Sequence, residues 1–352
     1  MTVEWYFTRT FLIRFLAAFA GFTLLLQLLD LFDAASKVLG RKGGLGELPT
    51  YLALRLPLLA LQAIPLGVLI GALVAFVTFA QRNETLALRA AGQTPFRMVR
   101  GPLAAALVVA LMHFSLANWI APGAERRLQN WWAEDGQGPA PPERNWIASG
   151  PDIIAFARAE QDGRRLIDLT ILERTAGGRA LRRTSANEAQ WDDTGWVLRD
   201  GRTITVFGPG LGVADWRSKP WPNGPKPADI QFVLSPTRYQ SFTHLADILG
   251  GRTSGRQSLS YYATRLQKLF SAPASALLMI LLAAPALHGY RRSSGFGRGA
   301  AAGFVLGFLF LIFDGILAAI GESGLMPSML AAWAPFALFM CLGGAMFLYL
   351  EE

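Results

Sequence analysis

The sequence predicts a membrane protein of mixed α and β class: six transmembrane helices, arranged three and three, around an inserted β-jellyroll-like domain. Three observations carry that prediction. Six long apolar stretches run near residues 11–32, 53–80, 101–121, 266–287, 299–320 and 327–350. Most hold about 20 residues or more, enough for a helix rising about 1.5 Å per residue to cross a hydrocarbon core of about 30 Å. Between the third and fourth lies a polar segment in which the apolar periodicity changes from helical to alternating. The expected organisation is therefore helices one to three in 1–121, a β domain with linkers in 122–260, and helices four to six in 261–352.

Composition narrows the function classes. Hydrophobic residues make up 52% of the chain and charged ones 16%, against roughly 25% in soluble proteins. The formal charge of +8 comes with arginines flanking the apolar spans, which is the positive-inside pattern and not a nucleic-acid-binding face. A single cysteine, Cys341, excludes an intrachain disulfide. His113, His244 and His288 stand far apart, and no metal-ligand spacing, P-loop or nucleophile elbow occurs. No catalytic residue, metal site or cofactor is expected in this chain. The first apolar stretch is too long for a signal-peptide core, so it is expected to remain as a span.

The elements follow in chain order. Arg9 and Arg14 stand at the N-terminal end; Arg82, Arg89, Arg97 and Arg100 lie between spans two and three; Arg291, Arg292 and Arg298 lie between spans four and five. These nine cations outnumber Lys37, Arg41 and Lys42 on the other side, which places both termini in the cytoplasm and the β domain outside, in the periplasm of a Gram-negative cell. Asp30 and Asp33 close span one at its outer end, where the three cations that follow mark the membrane edge or hold an anionic ligand. Arg55 near the start of span two is expected to snorkel to the interface.

Residues 83–92 read as a short cytoplasmic helix. Asn83 suits the N-cap, Glu84 the first turn, Gly92 the C′ position and Pro95 the opening of the next helix. The helix is expected to expose Glu84, Leu86, Leu88 and Arg89. A loop that only reverses the chain rarely needs capping and apolar side chains, whereas a helix docking in the groove of a cytoplasmic partner does. An ATPase subunit is the natural partner for a membrane protein without a P-loop.

In the outer domain, β-prone runs cover 145–149, 152–158, 165–172, 186–191, 196–199 and 202–207, divided by turn signals such as Asp162-Gly163 and Asp200-Gly201. Residues 209–228 read as a loop. Many short strands argue for an antiparallel sandwich or jelly roll, which serves equally as sensor, spacer or conduit for an amphipathic molecule. A conduit would be lined by inward residues, among them Ile153, Ile167, Leu169 and Trp191; otherwise these form an ordinary core. In span five, Asp314 is an ionisable group at membrane depth, and Gly299, Gly303 and Gly307 repeat at the spacing of close helix packing.

Together these residues resemble a family. Span two with Leu56-Pro57 and Ile64-Pro65-Leu66-Gly67, then Glu84-Thr85-Leu86-Ala87-Leu88-Arg89-Ala90-Ala91-Gly92, is similar to the permease subunits of the lipopolysaccharide exporter, the LptF/LptG family. The six-span layout and the loop with Arg291, Arg292, Ser293, Gly295 and Arg298 fit it over nearly the whole chain. Leu29-Asp30-Leu31-Phe32-Asp33 leans toward the G type, while His288-Gly289-Tyr290 departs from the Phe/Gly-rich run expected before the arginines. The resemblance implies an inner-membrane subunit paired with a second, LptF-like permease and driven by an LptB-like ATPase dimer that binds ATP and magnesium. It also implies an LptC-like single-span bridge protein and an LptA-like periplasmic bridge. Lipopolysaccharide would enter laterally from the outer leaflet into a cavity lined by spans one and five. Glu84, with Leu86, Leu88 and Arg89, would couple to the ATPase. Lys37, Arg41, Lys42 and Asp314 would contact substrate, and Ile153, Ile167, Leu169 and Trp191 would line its periplasmic path. The competing class is a membrane-anchored periplasmic sensor or scaffold, which needs no nucleotide-driven partner.

Overall fold

The computed structural model describes residues 3–41, 43–92, 95–134, 144–149, 152–161, 163–175, 179–192, 195–206, 212–222, 224–234, 239–253, 255–288 and 295–351. The chain divides into a helical unit (1–135, 239–242 and 263–352) and a strand unit (136–238 and 243–262). Helices α1 (Val3–Leu39), α2 (Leu48–Gln81), α3 (Glu84–Ala90), α4 (Pro95–Ser115) and α5 (Ala121–Glu134) come first. Strands β1 (Asn145–Ser149), β2 (Asp152–Phe156), β3 (Arg158–Glu160), β4 (Arg165–Arg174), β5 (Ala180–Trp191), β6 (Trp196–Thr205) and β7 (Gly212–Trp221) follow. Then come α6 (Pro227–Leu234), α7 (Phe242–Leu249), α8 (Leu259–Ala283), α9 (Gly295–Glu322) and α10 (Ser328–Glu351).

Among the described residues six helical segments are long and apolar enough to cross a membrane. The helices overrun the apolar stretches: the 37 residues of α1 extend roughly 55 Å, well past a hydrocarbon core. The helical unit likewise continues past 121, because α4 passes through a π turn at Leu116–Ile120 directly into α5. There Asn118, which is buried, accepts the backbone N–H of Phe242 at 2.7 Å.

Small residues let the helices close. A Cβ on Gly71 would lie 2.5 Å from the Phe15 backbone, and one on Gly67 would lie 3.2 Å from that of Phe19, so α1 and α2 meet at glycines four apart. The expected stripe in α9 packs in the same way: Gly299 faces the Pro285 carbonyl, Gly303 the Leu282 carbonyl and Gly307 the Leu69 side chain. Phe7, Phe11, Phe15, Phe76, Phe79 and Phe310 are fully buried in the resulting core. Outside it, α1 exposes Leu24, Leu25, Leu28 and Phe32, and α9 exposes Phe304, Val305, Phe308, Ile312 and Ile316, faces that suit lipid or another membrane helix.

The strands form one antiparallel sheet in the order β1-β2-β4-β5-β6-β7, with β3 also paired to β4. This antiparallel sheet is the inserted β domain that the sequence predicts between the third and fourth spans. Three strand expectations change. The run 152–158 divides at Ala157 into β2 and β3. Asp200-Gly201 is no turn, since β6 runs through it with Asp200 left-handed at φ +47°. The segment 209–228 contains β7, an edge strand among the described residues, and an edge strand tolerates Pro220.

Asp168 is left-handed too, at φ +53°, and the register aligns it with Asn187 and Asp200. Across this row the alternation of faces changes phase. Leu166 and Leu169 are both buried although three residues apart, as are Ala189 and Ala186. Leu198 is buried as well, and the Trp216 ring covers Gly201 on the next row. The apolar face thus stays continuous through the break. Ile230 of α6 and the Trp196–Trp221 pair, 5.9 Å apart, complete that core, and the Trp196 indole donates to the Pro225 carbonyl at 2.6 Å.

Candidate functional site

Helix α3 forms between the signals expected of it. The Asn83 carbonyl accepts the Ala87 N–H at 2.9 Å. Asn83 itself is left-handed at φ +57°, a conformation asparagine tolerates, and Gly92 ends the segment at φ +72°. The side chains differ from the expectation that all four are exposed. Leu86 is 65% exposed. Leu88 packs on the helical core. Glu84 is half-buried: the Tyr6 hydroxyl donates to its Oε1 at 2.9 Å, with Arg82 Nη1 4.0 Å from the same oxygen. A short helix docked on a bundle must turn one side inward, and α3 turns Glu84 and Leu88. The Arg89 side chain lies outside the described residues.

The cations at the end of α1 have separate fates. Lys37 is exposed in the last turn. Arg41 is buried; its guanidinium lies 3.8 Å from the Trp131 ring centroid, and Nη1 donates to the Trp131 carbonyl at 2.6 Å. The Trp131 indole in turn donates to Glu47 Oε2 at 3.0 Å. Arg41 is thereby corrected from a substrate contact to an internal anchor joining α1 to α5. Lys42 lies outside the described residues. Arg55 does not snorkel alone, since it grips both oxygens of Asp30 at 2.6–2.9 Å and the Tyr51 hydroxyl donates to the same carboxylate.

Asp314 stands inside the span 299–322 of α9, about 5 Å from its midpoint and about 12 Å from its C-terminal end. Both its oxygens accept from Lys268 Nζ of α8. With the ion pair Arg265–Glu322 at 2.9 Å and the Trp333 indole bonded to Gln267 at 3.0 Å, it forms a polar seam among α8, α9 and α10. Its charge is matched within the helical unit, where the pair clamps α8 to α9.

In the strand unit the four path residues do not share a face. Leu169 is in the core and Trp191 packs on Trp196 at 5.5 Å. Ile153 precedes core residue Ile154, and Ile167 follows core residue Leu166, so both point to the opposite face. That face is a charged ladder. Arg165 bonds Glu188 at 2.9 Å and holds its carboxyl below the usual range, and Arg202 does the same to Asp215 at 2.6 Å. An apolar conduit on this unit would have to follow the core face.

Comparison with known proteins agrees with this architecture. The family described as "Lipopolysaccharide export system permease LptF/LptG" matches residues 5–349. The chain belongs to this family. Among relatives, the lipopolysaccharide export system permease protein LptG of Haemophilus influenzae is 25% identical over 284 residues, covering 78% of each chain. Its namesake in Escherichia coli strain K12 is 23% identical over 282 residues, again covering 78% of each. As a member of the LptF/LptG family the chain is a multi-pass membrane permease subunit. Among the described residues no group of His, Cys, Asp or Glu is placed to hold a metal ion. Sequence reasoning missed Tyr6, Tyr51, Glu47, Trp131 and Lys268 as partners. Only Lys268, a lone cation in an apolar span with Asp314 in the next, carried a signal that would have found it.

Proposed function

We propose that the chain is a G-type permease subunit that extracts lipopolysaccharide from the outer leaflet of the inner membrane and passes it to a periplasmic bridge. Both termini are cytoplasmic and the strand unit is periplasmic. ATP and magnesium are bound by a cytoplasmic ATPase dimer, which docks on α3. A second, LptF-like permease completes the cavity against the exposed apolar faces of α1 and α9. The single-span and periplasmic bridge proteins receive the substrate, with Lys37 as the phosphate contact on this chain and the core-face residues Leu169 and Trp191 as contacts beyond it. The observation that carries this reading is the short helix α3, docked between two spans of a family member whose sequence holds no P-loop.

The test is to purify the chain from its native membranes in mild detergent and identify what accompanies it by mass spectrometry. A second six-span permease, a P-loop ATPase and bound lipopolysaccharide are expected. Recovery of the chain alone, or with a periplasmic protein only, would move the assignment to a sensor or scaffold.

A further inference from the structure

Among the described residues, an apolar and a polar contact tie helix α3 to the bundle. The apolar one is Leu88 on the helical core. The polar one joins Glu84 Oε1 to the hydroxyl of Tyr6, 78 residues earlier in α1. The Tyr6 ring is wedged: its centroid lies 5.6 Å from Phe7 and 6.0 Å from Phe79, and those two buried rings meet edge-on at 4.4 Å. A hydroxyl on a ring fixed in this way follows the carboxylate only if α1 moves against α2. The carboxylate is half satisfied. Oε1 has Tyr6, with Arg82 at 4.0 Å, while Oε2 is shut from solvent without a hydrogen-bond partner among the described residues. Such an oxygen is unfavourable where it stands, and the charge-assisted bond from Tyr6 is what retains it.

We propose that Tyr6 is the positioning residue of the coupling helix. It fixes the Glu84 carboxylate and makes α1 a direct recipient of force applied to α3. The inference rests on the reading of α3 as the docking helix of a cytoplasmic ATPase. A cationic side chain of that partner placed beside the half-buried Glu84 carboxylate draws on its charge, so docking loads the Tyr6 bond. The backbone joins α3 to α2 and α4, and among the described residues the Tyr6 hydroxyl adds a direct hydrogen bond from α3 to α1. Because α1 is a continuous 37-residue helix with little of its apolar stretch buried, a push at its first turns is delivered to the end that carries Lys37 and the Asp30–Arg55 pair.

Tyr6→Phe keeps the ring and its packing and removes only the hydroxyl. In the assembled transporter, reconstituted in lipid, two quantities are read together: ATPase retained on purification, and lipopolysaccharide transferred per ATP hydrolysed. Tyr6→Phe is expected to retain the ATPase and the melting temperature while transfer per ATP falls about threefold to tenfold. Glu84→Gln is expected to lose at least as much, and the double variant no more than Glu84→Gln alone, because both changes break one bond. Unaltered transfer in Tyr6→Phe beside a defective Glu84→Gln overturns the role of Tyr6 and leaves the docking helix standing. Losses that add in the double variant overturn it too, as does a melting temperature that falls in step with transfer. If Glu84→Gln and Glu84→Ala both retain the ATPase and transfer normally, the docking reading itself fails.

Discussion

Arg41 and Lys37 stand four residues apart at the end of α1 and are opposite in character. The first is sealed under two tryptophans, the second lies open. Arg41→Ala removes a stacked cation and leaves the Trp131 carbonyl unpaired, so a loss of about 1–3 kcal/mol is expected, read as a lower melting temperature in detergent. Lys37→Glu is expected to leave melting unchanged and to weaken photocrosslinking of lipopolysaccharide to the assembled transporter; undiminished crosslinking would remove Lys37 from the site. In the sequence the two belong to one basic cluster. What separates them is Trp131, ninety residues downstream, and no local pattern reports a contact at that distance. Glu84 was legible as a first-turn acid, but its partner Tyr6 reads only as one more aromatic at the start of a span.

At the scale of elements, glycine spacing was readable and its consequences are graded by what each glycine meets. Gly71→Ala drives a methyl into the Phe15 backbone, which gives way only if α1 and α2 separate; Gly307→Ala meets the ends of Leu69, which can swing aside. Gly71→Ala is therefore expected to destabilise by about 1–3 kcal/mol and Gly307→Ala by less, measured by thermal denaturation in matched detergent. The Lys268–Asp314 clamp calls for a different design. Asp314→Asn strands an ammonium between helices and is expected to lower stability by about 3 kcal/mol, whereas Lys268→Met with Asp314→Leu recovers most of it. Transport that stays lost in the stable double variant would place Asp314 in the substrate site. Strand β7 and the passage of β6 through Asp200-Gly201 were hidden for one reason. Pro, Gly and Asp are turn residues in statistics, yet an edge strand accepts Pro and a left-handed position within a strand accepts Asp.

For the whole molecule, span count and order were legible because the bilayer imposes a length and a polarity that any window of residues displays, whereas packing partners depend on the three-dimensional path. The strand unit also responds to acid. Arg165 lowers the Glu188 pKa chiefly by its hydrogen bond, and Arg202 lowers that of Asp215 likewise. A depressed folded pKa supplies stability above the ordinary carboxylate range, about 4 to 4.5, that is lost as pH falls through the folded value. Asp229 acts in reverse, since burial raises its pKa and protonation relieves it. With two groups against one, hydrogen exchange in β4–β6 of the intact protein is expected to quicken as pH falls below 4, after correction for the intrinsic rate; exchange that slows would contradict this balance. The π turn at Leu116–Ile120 has a bearing on how such chains tolerate change in length. It takes up one residue more than a regular α-helix would need inside a continuous rod. Removing one residue there would restore regular winding and leave everything beyond close to its present direction, with Trp131 still on Arg41 and Glu125 still accepting from the Tyr239 amide. The same deletion in the regular winding of α4 or α5 has no such slack and would rotate everything beyond by about 100°. A chain shortened there would keep all its spans while losing the indexing of the third against the first two.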